Sequence, residues 1–270
     1  MSGGQSRDIV VVGASAGGVE ALQEFVRGLP SDLPATICVV LHVPRTGPRA
    51  LAAILDRAGP LRVSQAEDGT ALIPGHVYVA PPDNHLLMAD GHVKLSRDPA
   101  INGHRPSIDA LFRSAADAYG PRVIAVVLSG SGDDGAAGVL AAVQAGAVAI
   151  VKDPDQAAHA SMPRRARDEA PAALVRRVEE IGPLVGQLVA APPVVANHRG
   201  GRAAAGVDGA LWLAVRALQD RSALNQRMAR SRRACDDEDI ATRYDELAEE
   251  SDRAIEIIQG LLRSRPDAAI

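Results

Sequence analysis

The sequence predicts an α/β protein with a doubly wound, mostly parallel sheet, helices on both faces, and a C-terminal helical hairpin. Three observations predict this fold. Apolar strand patterns alternate with amphipathic helix patterns, small polar loops follow several strands, and a heptad pattern appears only near the C-terminus. Alternating strand–helix units are typical of parallel sheets, because the connection between two parallel strands has to cross the sheet.

The first two strand–helix units are the clearest. Residues 9–12 are all apolar, as expected for a strand buried on both faces. A glycine-rich loop follows, and residues 22–29 then place their apolar side chains on one helical stripe. Residues 36–41 repeat the strand pattern and residues 49–58 repeat the helix pattern.

The middle of the chain predicts shorter elements before the regular units return. An aspartate–glycine pair at 90–91 indicates a hairpin turn, and Ser107 is expected to cap a helix. Strands are predicted at residues 76–79, 85–88, 92–95, 123–128 and 147–151, and helices at the segments that begin at 108 and 136.

Three regions are predicted along the chain. Residues 1–190 carry the strand–helix units, and residues 191–208 are a linker rich in alanine, proline and glycine. Residues 209–270 are predicted to form the helical hairpin, which either mediates self-association or partner docking or packs on its own domain. Its second helix has apolar positions at alternating spacings of four and three, the pattern of a heptad seam. The seam consists of Ile240, Tyr244, Leu247, Ser251, Ala254, Ile258 and Leu261.

Composition excludes several classes of function. The net charge of −4, the isoelectric point near 6.0 and an aromatic content of 2% argue against nucleic-acid binding. No apolar run reaches the length of about 20 residues that spans a bilayer, so we expect no membrane insertion and a cytoplasmic location. Two distant cysteines predict no disulfide framework. The seven histidines lack metal-ligand spacing, and no metal is expected.

The loop after the first strand matches the Gly-x-Ser-x-Gly pattern of a nucleophile turn, with Ser15 at its centre. A sharp turn would expose the Ser15 hydroxyl, and the backbone N–H of Ala16 could face a substrate oxyanion. A dinucleotide-binding loop is the main alternative, since Gly13 and Gly18 fit its fingerprint. The fingerprint's middle glycine is replaced by Ser15, however, and the second strand ends in His42 rather than an acid. A purely structural turn is the third possibility.

Two further strand-end loops supply the partners that a serine nucleophile needs. His42 ends the second strand, and the carboxyl ends of neighbouring parallel strands share one crevice. The loop at residues 129–135 carries Asp133 and Asp134, either of which could orient His42 or simply cap a helix. Asp134 lies nearer the start of the following helix, whose N–H groups are expected to hold its carboxylate. Asp133 is expected to be solvated.

Several ordered motifs resemble the catalytic domain of the bacterial chemotaxis protein-glutamate methylesterases. The resemblance extends from about Asp8 to Ala190. Its motifs are Gly13-Ala14-Ser15-Ala16-Gly17-Gly18, His42-Val43-Pro44, Ala80-Pro81-Pro82-Asp83-Asn84-His85, Arg105-Pro106-Ser107-Ile108-Asp109-Ala110-Leu111-Phe112, residues 128–138, Lys152-Asp153-Pro154 and Met162-Pro163.

The resemblance implies a function and a set of roles. Ser15 would be the nucleophile, His42 the general base and Asp134 the orienting acid. The reaction would be hydrolysis of glutamate γ-methyl esters on the cytoplasmic domain of chemoreceptors, releasing methanol, and also deamidation of receptor glutamines. The backbone N–H groups of Ala16 and of the Ser131 loop are expected to bind the oxyanion, and Arg105 is expected to line the substrate cleft. No cofactor is implied.

The chain departs from the family pattern at two residues and at its N-terminus. Ser131 stands where the family usually has methionine, and Ser161 stands where it usually has glycine. Only eight residues precede the first strand, so we expect no receiver domain and no requirement for phosphorylation.

Two other functional classes remain as alternatives to the esterase. One is a catalytically idle signalling scaffold of the same fold, and the other is a nucleotide-binding oxidoreductase.

Overall fold

The computed structural model of the chain describes residues 6–47, 49–89, 91–191, 229, 233 and 238–263. The chain divides into two compact units, Met1–Val194 and Val195–Ile270. Apart from Ala191, Ala229 and Arg233, the predicted linker and the first helix of the predicted hairpin lie outside the described residues.

The first unit alternates strands and helices. Its strands are β1 (Ile9–Ala14), β2 (Thr36–Leu41), β3 (Arg62–Gln65), β4 (His76–Val79), β5 (His85–Ala89), β6 (His92–Ser96), β7 (Val123–Val127), β8 (Val148–Lys152) and β9 (Leu174–Arg176). Its helices are α1 (Gly18–Arg27), α2 (Leu51–Ala58), α3 (Ile108–Tyr119), α4 (Ala136–Gln144), α5 (Ser161–Glu169) and α6 (Val178–Ala190). The second unit contains α7 (Glu238–Arg263).

Seven strands form one parallel sheet in the order β3-β4-β2-β1-β7-β8-β9. The chain leaves β1 toward β2 on one side and later returns to pair β7 on the other. The direction of winding therefore reverses at β1, and ligands of doubly wound sheets bind at the carboxyl ends of strands at such a point. Strands β5 and β6 form a separate antiparallel hairpin.

Two apolar layers sandwich the sheet. On one face α1, α2 and α6 pack through side chains such as Phe25, Leu55 and Val185. On the other face α3, α4 and α5 pack through Phe112 and Val139, together with the β5–β6 hairpin. Successive residues of β1 alternate between the two layers, which explains why its sequence is continuously apolar.

The doubly wound parallel sheet is the predicted fold, and the prediction is confirmed. The interior strands β1, β2, β4, β7 and β8 lie within two residues of their predicted positions. The edge strands β3 and β9 were not predicted. Both are short and carry half-buried or exposed residues, because an edge strand contacts the core along only part of its length.

In the second unit, α7 covers the whole predicted heptad segment. Ala248 and Ile255, seven residues apart, are buried, whereas Ile257 is 66% exposed. Both buried residues directly follow predicted seam positions, whereas the seam residue Ala254 is half-buried, so the heptad seam stays a prediction. Among the described helices of either unit, none is both long and apolar enough to cross a membrane.

Candidate active site

Three adjacent strands bring the predicted site residues together. Ser15 follows β1, His42 follows β2 and Asp134 lies in the loop after β7. The His42 ring lies between the other two side chains. Its Nδ1 is 3.1 Å from Ser15 Oγ, and its Nε2 is 2.8 Å from Asp134 Oδ2. The structure therefore places the predicted serine, histidine and aspartate in one hydrogen-bonded chain.

The turn that carries Ser15 is tight because its glycines are packed closely. Gly17 has a φ of 66°, a left-handed conformation that favours glycine. A Cβ on Gly18 would lie 2.6 Å from Leu41 Cδ1 and 2.8 Å from Ala14 Cβ. The Ser15 N–H donates to the Ser129 carbonyl at 2.9 Å, which joins the β1 loop to the β7 loop.

The backbone around Ser15 leaves two N–H groups without a protein acceptor among the described residues. The Gly18 N–H donates to the Ser15 carbonyl at 2.9 Å, which fixes the Ser15–Ala16 peptide and turns the Ala16 N–H the other way. Ser129 Oγ donates to the Ala16 carbonyl at 2.9 Å and fixes the next peptide. Within the described part of the chain, the N–H groups of Ala16 and Ser131 donate to no protein acceptor. Both are free to bind a substrate oxygen.

Asp134 is almost completely buried and receives four donors. Oδ2 accepts from His42 Nε2 and, at 2.8 Å, from the Ile108 N–H. Oδ1 accepts from Ser107 Oγ at 2.9 Å and from the Asp109 N–H at 3.1 Å. The N–H groups belong to the start of α3, not to the helix that follows Asp134. The predicted capping of α4 by Asp134 is therefore wrong, because the buried carboxylate turns toward the neighbouring helix.

These donors determine the charge of Asp134 and the tautomer of His42. Burial alone would raise the pKa of the Asp134 carboxyl, but the hydrogen bonds from His42, Ile108 and Asp109 outweigh it and lower the pKa. An ionised carboxylate only accepts, so His42 donates through Nε2 and leaves the Nδ1 lone pair facing Ser15. The ring is reversed relative to the serine-protease arrangement, in which Nε2 faces the serine.

His104 is the residue at this site that the sequence did not reveal. Its ring lies parallel to the His42 ring, with centroids 3.7 Å apart and planes 8° apart. It ends a tight turn, in which Asn102 and Gly103 both have positive φ. The asparagine–glycine pair is a turn signal, but the signal could not indicate what the next residue would contact.

Arg105 is held by protein groups. Its Nε and Nη2 donate to Asp83 Oδ1 at 3.0 and 2.7 Å, and its Nη1 donates to the carbonyls of Arg97 and Asp98. Only 13% of the side chain is exposed. The structure thus gives Arg105 a role in anchoring the loop before α3, while a contact with substrate remains a prediction.

The two departures from the family pattern lie in or beside the β7 loop. Ser131 is exposed. The Gly132 N–H donates to Ser161 Oγ at 3.1 Å, and Ser161 Oγ donates to the Gly130 carbonyl at 3.4 Å. The Ser161 hydroxyl therefore bridges the two glycines that flank Ser131. Any Cβ at Gly130 would lie 2.9 Å from Ser15 Cβ, so this loop packs directly on the candidate nucleophile.

Asp133 is exposed, as predicted, and among the described residues no hydrogen bond joins its side chain to Ser15, His42 or Asp134. The described residues contain no group of three or more histidine, cysteine, aspartate or glutamate side chains arranged to hold a metal ion.

Residues 10–185 match the family model described as CheB methylesterase. The chain is 41% identical over 162 residues to the protein-glutamate methylesterase/protein-glutamine glutaminase 1 of Geobacter metallireducens, covering 58% of this chain and 44% of that protein. It is 37% identical over 192 residues to the corresponding enzyme of Chromohalobacter salexigens, covering 66% of this chain and 54% of that enzyme. The chain thus spans about half the length of the curated relatives it matches.

A solved structure resembles the same region. The crystal structure of the Thermotoga maritima CheB methylesterase catalytic domain superimposes with a TM-score of 0.64 and 36% identity. The match covers 70% of this chain and 100% of the crystallised domain. The family model covers well over half of the chain, and we conclude that the chain belongs to the CheB methylesterase family.

Proposed function

We propose that this protein hydrolyses glutamate γ-methyl esters on chemoreceptors and releases methanol. The observation that carries the proposal is the hydrogen-bonded chain from Ser15 through His42 to Asp134, at the sheet edge where three parallel strands end. The relatives that share this region are named protein-glutamate methylesterases. Of the functions considered, only ester or amide hydrolysis uses these three side chains together.

The first half of the reaction forms an acyl-enzyme. A serine hydroxyl is a weak nucleophile, so His42 Nδ1 takes the Ser15 proton as Ser15 Oγ attacks the ester carbonyl. The N–H groups of Ala16 and Ser131 stabilise the oxyanion, and one such donor is typically worth about 3–4 kcal/mol. The protonated ring then gives its proton to the departing methanol oxygen, which leaves Ser15 esterified to the glutamate side chain.

The second half returns the enzyme to its resting state. Neutral His42 takes a proton from water as the water oxygen attacks the acyl carbon, and the proton passes to Ser15 Oγ when the bond to Ser15 breaks. Asp134 stays ionised throughout, because four donors hold its carboxylate. Each imidazolium therefore forms beside a fixed negative charge.

The same acyl chemistry accommodates a second substrate group. Glutamine differs from the methyl ester only in its leaving group, which is ammonia instead of methanol. The names of the relatives pair methylesterase with protein-glutamine glutaminase. We therefore propose deamidation of receptor glutamines at the same site. A receptor side chain on the cytoplasmic face of the membrane would place the enzyme in the cytoplasm.

The decisive experiment measures methanol release from methylated receptor cytoplasmic fragments by the full 270-residue chain. Ser15→Ala should lower turnover by at least about 10³-fold, because the nucleophile is lost. The wild-type chain should also be labelled by a fluorophosphonate probe, and Ser15→Ala should not. Normal methanol release by Ser15→Ala would refute the hydrolase proposal and leave the idle scaffold as the better explanation.

We further propose that the C-terminal helices mediate self-association or partner docking. The support is the heptad seam from Ile240 to Leu261 within α7, because such a seam needs an apolar counterpart. Truncation after Ala190 should leave hydrolysis of a small ester unchanged, since every residue of the candidate site precedes that point. It should alter the mass measured by light scattering or weaken binding to receptor fragments. If neither changes, the segment is not an interaction module.

A further inference from the structure

The two stacked rings at the site differ in how they are held. Both ring nitrogens of His42 form hydrogen bonds, one with Ser15 and the other with Asp134. Two hydrogen bonds fix the line through those nitrogens but restrain tilting of the ring only weakly. The parallel ring of His104, with its centroid 3.7 Å away, covers one face of His42 and supplies the missing restraint.

His104 is held by backbone hydrogen bonds to the turn before it and by the anchored side chain of Arg105 after it. The Ile101 N–H donates to the His104 carbonyl at 3.1 Å, and the His104 N–H donates to the Ile101 carbonyl at 2.9 Å. Within this turn the Asn102 amide reaches Asp109 Oδ2 at 3.4 Å, which links the turn to α3. On the other side Arg105 is bound to Asp83. The His104 ring therefore contacts His42 from a turn that hydrogen bonds hold in place on both sides.

The charges around His104 favour a neutral ring. Burial lowers the pKa of His104, and the positive charge that His42 acquires lowers it further. Asp134 and Asp133, the other charged groups that face it, act in the opposite direction and are outweighed. A neutral ring stacked on His42 does not repel a positive charge on the His42 ring, whereas a positively charged neighbour at this distance would disfavour that charge.

We propose that His104 is a positioning residue for the candidate triad. It holds the His42 ring in the plane that joins Ser15 to Asp134, and it presents a neutral aromatic face to the positive charge that develops there. This inference rests on the proposed hydrolase function. It adds His104 to the candidate site as a fourth residue, which contacts the triad by ring stacking and not by a hydrogen bond.

Three variants of the full chain separate the parts of the proposal. His104→Phe keeps a flat aromatic ring without a titratable group, and we expect its turnover to stay within about threefold of wild type. His104→Ala removes the stack, and kcat should fall about 10- to 100-fold with little change in KM, as for a misplaced catalytic group. His104→Lys puts a fixed charge beside His42, so the acid limb of the pH–rate profile should move down by about one pH unit.

The readouts are methanol release and the rate of fluorophosphonate labelling between pH 5 and 9. The melting temperature of each variant provides a control for folding. Nitrogen chemical shifts of the His42 ring in the resting enzyme add a measurement that needs no turnover. We expect wild type and His104→Phe to carry the proton on Nε2, and His104→Ala to populate both tautomers.

Each result bears on one proposal. Equal rates and equal His42 shifts in wild type and His104→Ala would overturn the positioning role, even if the enzyme is active. Equal losses in His104→Phe and His104→Ala would also overturn it, because a polar ring nitrogen would then be the required feature. If wild type neither releases methanol nor reacts with the probe, the hydrolase proposal fails, and the ring shifts alone still decide whether His104 holds His42.

Discussion

The starts of helices α3 and α4 are built alike, yet their buried carboxylates differ. Each helix start is capped by an aspartate from the other's segment. Asp134, in the loop before α4, accepts the Ile108 and Asp109 N–H groups of α3. Asp109, in the first turn of α3, accepts through Oδ1 the N–H groups of Gly135, directly before α4, and of Gly138, in the first turn of α4. The exchange ties the two helices together at the candidate site.

The number and charge of the donors explain why the two carboxylates diverge. Asp134 receives a hydroxyl and the His42 ring in addition to two N–H groups, and its pKa is lowered. Among the described residues, the remaining oxygen of Asp109, Oδ2, has only the 3.4 Å contact with the Asn102 amide. Burial therefore prevails at Asp109, the hydrogen bonds from Gly138 and Gly135 offset it only in part, and the pKa of its carboxyl is raised. One or two extra donors thus determine whether a capping carboxylate belongs to the candidate triad or only stabilises the helix that it caps.

The largest expected effect is that of removing the charge at the α3 cap. Asp134→Asn should reduce turnover by up to about 10⁴-fold while the fold persists, because an amide facing Nε2 favours the wrong tautomer of His42. Asp133→Asn is the matched control, and its exposed side chain predicts a loss of less than about tenfold. Both variants are assayed on one ester substrate. The reverse ranking would assign the triad acid to Asp133.

At the α4 cap the expected effect is on stability. Asp109→Ala would leave the buried N–H groups of Gly135 and Gly138 without an acceptor, at about 1–3 kcal/mol each. Asp109→Asn keeps an oxygen for both donors, and the Asn102 amide can rotate to present its own oxygen. Urea denaturation should therefore rank wild type and Asp109→Asn well above Asp109→Ala. Equal unfolding midpoints for the alanine and asparagine variants would show that this cap contributes little.

The smallest effect is a difference in pH dependence between the two caps. A raised folded-state pKa means that Asp109 costs stability as the pH rises above the ordinary value of 3.8 and through the folded-state pKa. A lowered pKa means that Asp134 contributes stability above 3.8, which is lost as the pH falls through its folded-state pKa.

Melting temperatures at pH 4 and pH 7 test this difference. The melting temperature of Asp109→Asn, measured relative to wild type, should be higher at pH 7 than at pH 4. The melting temperature of Asp134→Asn should lie below that of wild type by a nearly constant amount over that range, and the difference should shrink only below about pH 4. If the melting temperatures of the two variants depend on pH in the same way, the two carboxylates do not differ in their effect on stability.

The sequence predicted the parts of this arrangement that depend on strand ends. Ser15, His42 and Asp134 each follow an apolar strand, and parallel topology gathers such positions at one edge. Interior strands were predictable because burial on both faces leaves a continuous apolar run. Edge strands β3 and β9 were not predictable, because one side of each lacks a neighbour and their residues are mixed.

The relations that depend on distant loops could not be predicted from the sequence. Nothing local to His104 indicates a stack on His42, and nothing in the β7 loop indicates that Asp134 turns toward α3. The reversed orientation of the His42 ring also depends on where two other loops place their oxygens. These contacts join residues far apart in the chain, and only the folded packing determines them.

One close contact has an evolutionary consequence. Ile108 fills the space beside two glycines: a Cβ at Gly13 would lie 2.3 Å from Ile108 Cγ2, and one at Gly135 would lie 2.8 Å from the same atom. This one methyl group therefore sets the spacing between the strand that leads to Ser15 and the loop that carries Asp134. Positions 13 and 108 should then be epistatic, so that a homologue with alanine at 13 carries a residue smaller than isoleucine at 108.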